Sequence, residues 1–159
     1  MDKILSLIEQ NARLSNAQLA CMLNRSEADV EKTLKDFEDT KVILGYKALI
    51  DWEKTDREVV SALIEVKVTP QRGQGFDRVA ERIYQYPEVE SLYLMSGGFD
   101  LMVMIDGKTM KEVALFVAEK LAVLESINST ATHFVLKKYK DKGVPFDNED
   151  HSKERVFQL

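Results

Sequence analysis

Val89-Glu-Ser-Leu-Tyr-Leu-Met95 and Phe99-Asp-Leu-Met-Val-Met-Ile105 are two short apolar runs separated only by Ser96-Gly97-Gly98. Runs of this length, rich in β-branched and large apolar residues and joined by a two-glycine turn, predict a β-hairpin. Working back from it, Phe76, Val79, Ala80, Ile83 and Tyr84 recur at helical spacing, and the helix they predict ends near Pro87. Before a loop at 70–75, Val59–Val68 alternates, with Ala62, Ile64, Val66 and Val68 on one face and Glu65 and Lys67 on the other. Working forward, Thr109-Met-Lys-Glu112 is a capping box that opens a helix carrying Val113, Phe116, Val117, Leu121 and Leu124. A final strand is expected from Ile127 to about Tyr139. The order β-α-β-β-α-β is the ferredoxin-like split pattern. Its helices cover one sheet face, so the other face needs solvent or a partner. Leu92, Leu94, Met102 and Met104 are expected to add apolar surface there, which favours a partner.

The first third has a helical rhythm instead. Ile4, Leu5, Leu7 and Ile8 mark one helix. Ser15-Asn-Ala-Gln18 is a capping box for a second, which carries Leu19, Ala20 and Leu23 inward. After Asn24-Arg25, Ser26-Glu-Ala-Asp29 caps a third that runs to about Thr40 and turns Val30, Leu34 and Phe37 to one face. Three short helices with a tight link between the last two predict a helix-turn-helix head, although a generic three-helix bundle shares the pattern. Residues 42–50 read as a strand. The expected boundaries are a head at 1–50, a linker at 51–58, a body at 59–140 and a polar extension at 141–159. The apolar end of that extension is expected to dock on another subunit, and Trp52 is expected to pack at the junction.

Composition narrows the function. With 45% hydrophobic and 31% charged residues the chain is an ordinary globular one. No apolar run approaches membrane-spanning length, and Met1-Asp2-Lys3 leads into an amphipathic pattern without a secretory signal, so a cytoplasmic location is expected. Cys21 is the single cysteine and is expected to be a small core residue. No Cys/His spacing suggests zinc, and neither a nucleophile elbow nor a Walker-type phosphate loop occurs. Gly73-Gln-Gly75 opens a helix, but Arg78 stands where a dinucleotide fingerprint needs its third glycine. His133 is expected to be structural. No metal or cofactor is expected.

One segment concentrates chemical potential. A hairpin turn accounts for Gly97 and Gly98, but it leaves Asp100 in an apolar run, where a carboxylate requires a partner. A second reading is an amino-acid site. There, bare glycine amides and threonine hydroxyls take the carboxylate and Asp100 takes the ammonium.

Taken together, these motifs resemble the Lrp/AsnC family, the feast/famine regulators. In the head the resemblance rests on Leu14-Ser15, Gln18-Leu19-Ala20, Leu23, Ser26 and Val30, then Val42-Ile43, Gly45-Tyr46, Ala48 and Asp51. In the body it rests on Pro87-Glu88-Val89, Gly97-x-Phe99-Asp100-Leu101, and Ile127, Thr130, Thr132 and Val135-Leu136. The resemblance implies an α+β protein: a winged helix-turn-helix followed by a ferredoxin-like βαββαβ domain. It implies binding of double-stranded DNA and of an amino acid or related small metabolite. It also implies homodimers paired through their sheets and higher oligomers such as octamers, with no membrane partner and no catalysis. Effector candidates are then Gly97, Gly98, Phe99, Asp100, Thr130 and Thr132. DNA candidates are Arg25, Ser26, Lys32 and Lys35.

The third helix departs from the family pattern. Thr33 stands where family members often carry an arginine. Residues 26–41 hold six acids (Glu27, Asp29, Glu31, Asp36, Glu38, Asp39) against three bases (Lys32, Lys35, Lys41), a net of −3 within a chain of net charge −5. Lys32 and Lys35 share the outward face with Asp29, Asp36 and Asp39, which repel phosphates. A ligand sensor with a degenerate head that acts through protein partners is therefore the alternative to a DNA-binding regulator. Sirohaem decarboxylases also resemble this family, but the histidine expected near the hairpin is absent from Gly97-Gly98-Phe99.

Overall fold

The computed structural model describes residues 3–69 and 75–146 and divides into two compact units, Met1–Ile50 and Asp51–Leu159. In the first unit, helices α1 (Lys3–Gln10), α2 (Asn16–Leu23) and α3 (Glu27–Asp39) enclose a small core of Ile4, Leu19, Ala20 and Val30. Leu7, Ile8, Leu14, Leu23 and Leu34 pack around it. The caps fall where the sequence places them. The Ser15 hydroxyl accepts from the Gln18 amide at 3.2 Å, and the Gln18 side chain accepts from the Ser15 amide at 2.9 Å. The Ser26 hydroxyl accepts from the Asp29 amide at 3.2 Å and starts α3. Between the last two helices Asn24 adopts φ 53, ψ 47, the left-handed conformation that asparagine tolerates and β-branched residues do not. This residue makes the turn tight enough for a helix-turn-helix.

Two expectations for this unit need correction. Residues 42–50 form no strand, because a strand needs a ladder partner and none of the described residues supplies one. The segment instead folds back on the end of α3. The amides of Val42 and Ile43 both donate to the Phe37 carbonyl, and the Tyr46 hydroxyl donates to Glu38 at 3.0 Å. Burial first, and then this hydrogen bond, raise the Tyr46 pKa. Cys21 is exposed rather than buried. It lies two positions beyond Leu19, about 200° around the helix and so on the opposite side.

In the second unit, β1 (Val60–Val68), β2 (Val89–Leu94), β3 (Leu101–Gly107) and β4 (Ile127–Phe134) form one antiparallel sheet in the order β2-β3-β1-β4. α4 (Asp77–Tyr84) and α5 (Met110–Phe116) cover one face. α5 runs on into a wider turn, Val117–Leu121, in which the Ala122 amide reaches back five residues to the Val117 carbonyl at 2.8 Å. β1 lies inside the sheet, and its alternation is realised: Ala62, Ile64 and Val66 are fully buried with Val103, Ile83 and Leu121.

The second strand departs from simple alternation. A register shift between Val89 and Ser91 lets Val89 and Leu92 both face the helices, because one extra residue in a strand turns every later side chain to the other face. Leu92 and Leu94 therefore pair opposite Val103 and Leu101 on the helix side, not on the open face. The open face carries Tyr93, Met102, Met104, Leu63 and Glu65, with Ala131 and His133 of β4 beside them. β4 ends at Phe134, five residues earlier than the sequence suggests. Part of the expected extension is a short hairpin, β5 (Lys140–Asp141) with β6 (Val144–Pro145). The proposed apolar docking end, Arg155–Leu159, lies outside the described residues.

Truncating the sheet's fully buried centre removes both transfer energy and packing. Ile64→Ala is expected to lower stability by about 2–5 kcal/mol. Urea unfolding followed by circular dichroism checks it.

Candidate functional site

The Ser96–Phe99 loop leaves Gly97 and Gly98 exposed and Phe99 and Asp100 half-buried. Gly97 sits at φ +149, where a side chain is strained. The loop is closed at its base: the Met95 amide donates to the Asp100 carbonyl at 2.8 Å. The Asp100 amide donates to the Val66 carbonyl at 3.0 Å, and Asp100 Oδ2 accepts from the Val68 amide at 2.8 Å. The β1–β4 register shifts between Lys67 and Val68, so the carboxylate satisfies a backbone donor at an irregular point of the ladder. This is the partner that a carboxylate in an apolar run requires.

Thr130 and Thr132 pair opposite Val66 and Ile64 on β4 and are half-buried on the helix side. Val66 lies between Leu101 and Thr130, so Thr130 and the glycine loop reach the same end of the sheet, separated by the width of β1. Within one chain, then, the six candidates share an end but do not converge on one point. Thr69 and Asn128 join this end through a reciprocal side-chain contact at 2.7 to 3.1 Å. Sequence reading missed that pair, because 59 residues separate its members.

The opposite end of β3 borders a cavity of about 780 Å³, lined among others by Arg57, Glu88, Asp106, Phe116, Glu119 and Lys120. Its charges are partly committed. Lys120 pairs with Glu88 and lies 5.1 Å from the Tyr86 ring and 5.5 Å from the Phe116 ring. Ser61 donates to Asp106 at 2.6 Å, and Arg57 stacks 4.4 Å over half-buried Trp52. His133 faces Glu65 at 3.3 Å on the open face. Among the described residues no acid, His and Cys group is arranged to hold a metal, and no helix is long and apolar enough to cross a membrane.

In the head, the DNA candidates differ in how far they are engaged. Arg25 Nε donates to Asp29 Oδ2 at 2.6 Å, and Arg25 Nη2 donates to the Thr33 hydroxyl at 2.7 Å. The bond to Asp29, above all, holds that carboxyl below its ordinary range. Ser26 is engaged as the cap of α3. Lys32 and Lys35 are exposed.

This geometry sets two expected outcomes. Asp100→Ala strands the Val68 amide and is expected to cost about 1–3 kcal/mol. Asp100→Asn keeps an acceptor and should cost much less; paired denaturant titrations separate the two. Glu88 has its pKa lowered chiefly by the hydrogen bond from Lys120. A depressed folded-state pKa stabilises above the ordinary glutamate value, and the gain is lost as pH falls through the folded value. Since over a third of each side chain is exposed, the effect is expected to stay below about 1 kcal/mol. Glu88→Gln should remove that part of the acid limb in melts taken from neutral to acid pH.

Comparisons with known proteins agree with the fold. Residues 61–145 match the family model described as the Lrp/AsnC ligand binding domain. The uncharacterised HTH-type transcriptional regulator YugG of Bacillus subtilis is 49% identical over 155 residues, covering 97% of this chain and 93% of that protein. The leucine-responsive regulatory protein of Haemophilus influenzae is 29% identical over 140 residues, covering 87% and 82%. A transcriptional regulator of Neisseria meningitidis, solved with L-methionine, is 26% identical with a TM-score of 0.70, covering 91% of this chain and 96% of that one. The leucine response regulatory protein of Mycobacterium tuberculosis, at 19% identity and a TM-score of 0.74, covers 89% and 97% and shares the fold. The chain belongs to the Lrp/AsnC family: it is a transcriptional regulator, not an enzyme, with a helix-turn-helix head and a ferredoxin-like body.

Proposed function

We propose that this regulator binds double-stranded DNA through residues 1–50 and an amino acid through its body, 59–140. Residues 51–58 then act as the linker and 141–159 as an extension. The observation that carries the ligand reading is the Ser96–Phe99 loop. Gly97 and Gly98 are exposed, with nothing within 4 Å of where a side chain would begin, and the base of the loop is fixed by the Met95–Asp100 and Val68–Asp100 bonds. A preorganised pair of amides suits a carboxylate. The Neisseria relative solved with L-methionine supports an amino acid as the class. Gly97, Gly98, Phe99 and Asp100 form one wall, and Thr130 and Thr132 are the candidates on the neighbouring strand.

One chain supplies only part of such a site, so assembly belongs to the reading. The open sheet face, with Leu63, Met102 and Met104 half-buried and Tyr93 exposed, pairs with a second copy. Dimers then associate further, up to octamers. A ligand acts by its differential affinity for two arrangements of the assembly, which moves the heads relative to one another. Cytoplasmic location is the natural consequence of a DNA target.

Fluorescence anisotropy with the protein's own upstream region and a scrambled duplex tests this, run across salt with and without L-methionine or a pool of amino acids. Selective binding that weakens with salt and shifts with an amino acid is the expected result. Absence of binding at low salt would transfer the function to the sensor that acts through protein partners. Met104→Lys is expected to dissociate the dimer in light scattering, and an unchanged mass would remove the sheet-face interface.

A further inference from the structure

The arginine that precedes α3 is built into the surface of that helix. Arg25 comes directly after the left-handed Asn24, and its side chain runs along the first two turns of α3 to Asp29 and Thr33. The support is itself supported. Thr33 Oγ1 donates to the Asp29 carbonyl at 2.7 Å, so the hydroxyl proton is committed and its lone pairs are left for Arg25. The Asp29 amide is held by the Ser26 hydroxyl. Ser26, Asp29, Thr33 and Arg25 thus form one connected polar unit at the N-terminal end of α3.

We propose that Arg25 reads a G·C base pair in the major groove, with Asp29 and Thr33 as its positioning residues. This rests on the DNA-binding reading above. In a helix-turn-helix the N-terminal residues of the second helix meet base edges, and this unit lies at that end. A guanidinium fork matches guanine O6 and N7, and a carboxylate beside it accepts from cytosine N4. A G·C pair presents those acceptors and that donor side by side. A phosphate offers acceptors only, and Asp29 repels it. Residues 26–41, of net charge −3, gain little from phosphates, so a positioned contact carries a larger share of selectivity. Prior fixing of the side chain also reduces the ordering cost of the contact.

The test uses the full-length protein and a duplex selected from a random pool. Each G·C pair of the half-site is changed in turn to A·T, and binding is read by anisotropy. The wild type should lose roughly tenfold or more at one G·C position per half-site. Arg25→Lys should level the preference at that position and leave the other positions unchanged. Asp29→Asn and Thr33→Val, which leave the arginine in place, should weaken the same preference. Asp29→Asn should also raise affinity for a scrambled duplex, because a carboxylate facing phosphates is gone. If Arg25→Lys lowers affinity equally on every duplex and keeps the preference, the arginine is a phosphate contact and the proposal fails. If the wild type selects no duplex, the DNA reading itself fails, and the proposal with it.

Discussion

The hydrogen bond from the Val68 amide to the Asp100 carboxylate ties the central strand of the body to the foot of the Ser96–Phe99 loop. β1 is paired on both sides, and at Val68 its ladder with β4 shifts register. A buried amide left without an acceptor there would cost as much as a lost hydrogen bond. Asp100 closes that gap from the foot of β3, and its own amide and carbonyl fix the loop to Val66 and Met95. On the proposed reading, ligand recognition at this loop starts from a carboxylate that already serves the sheet. In that reading Gly97 and Gly98, both exposed, are the groups proposed to meet the ligand's carboxylate.

Much of this architecture was legible in the sequence because the signals are local. Alternation in Val59–Val68, the capping boxes at Ser15 and Thr109 and the glycine pair at 97–98 each involve residues within a few positions of one another. The features that escaped reading depend on distant partners or on single-residue irregularities. The shift at Glu90 reverses Leu92 and Leu94, and no residue-type pattern announces it. The expected strand at 42–50 has apolar residues of the right kind, with Leu44 88% exposed, but no ladder partner among the described residues. Thr69 with Asn128, and Ser61 with Asp106, are joined across 59 and 45 residues. The link between Arg25 and Asp29 also escaped reading, because Arg25 lies before the extended Ser26 cap, outside α3, where helical spacing does not apply.

The head illustrates how net charge and local geometry separate. Its third helix is acidic as a whole, yet Asp29 is bonded to Arg25 and Glu38 to Tyr46. Two of the six acids are therefore engaged in holding neighbouring groups in place. An acidic surface weakens indiscriminate attraction to phosphates, which is why the proposed DNA reading places selectivity in a few oriented groups.

Asp100 belongs first to the sheet. Hydrogen exchange at the Val68 amide, followed by NMR with and without L-methionine, tests it directly. Slow exchange is expected at Val68 in the free protein, with equal or greater protection when ligand is present. Fast exchange in the free protein, or loss of protection on ligand binding as the carboxylate turns to the ligand's ammonium, would contradict it.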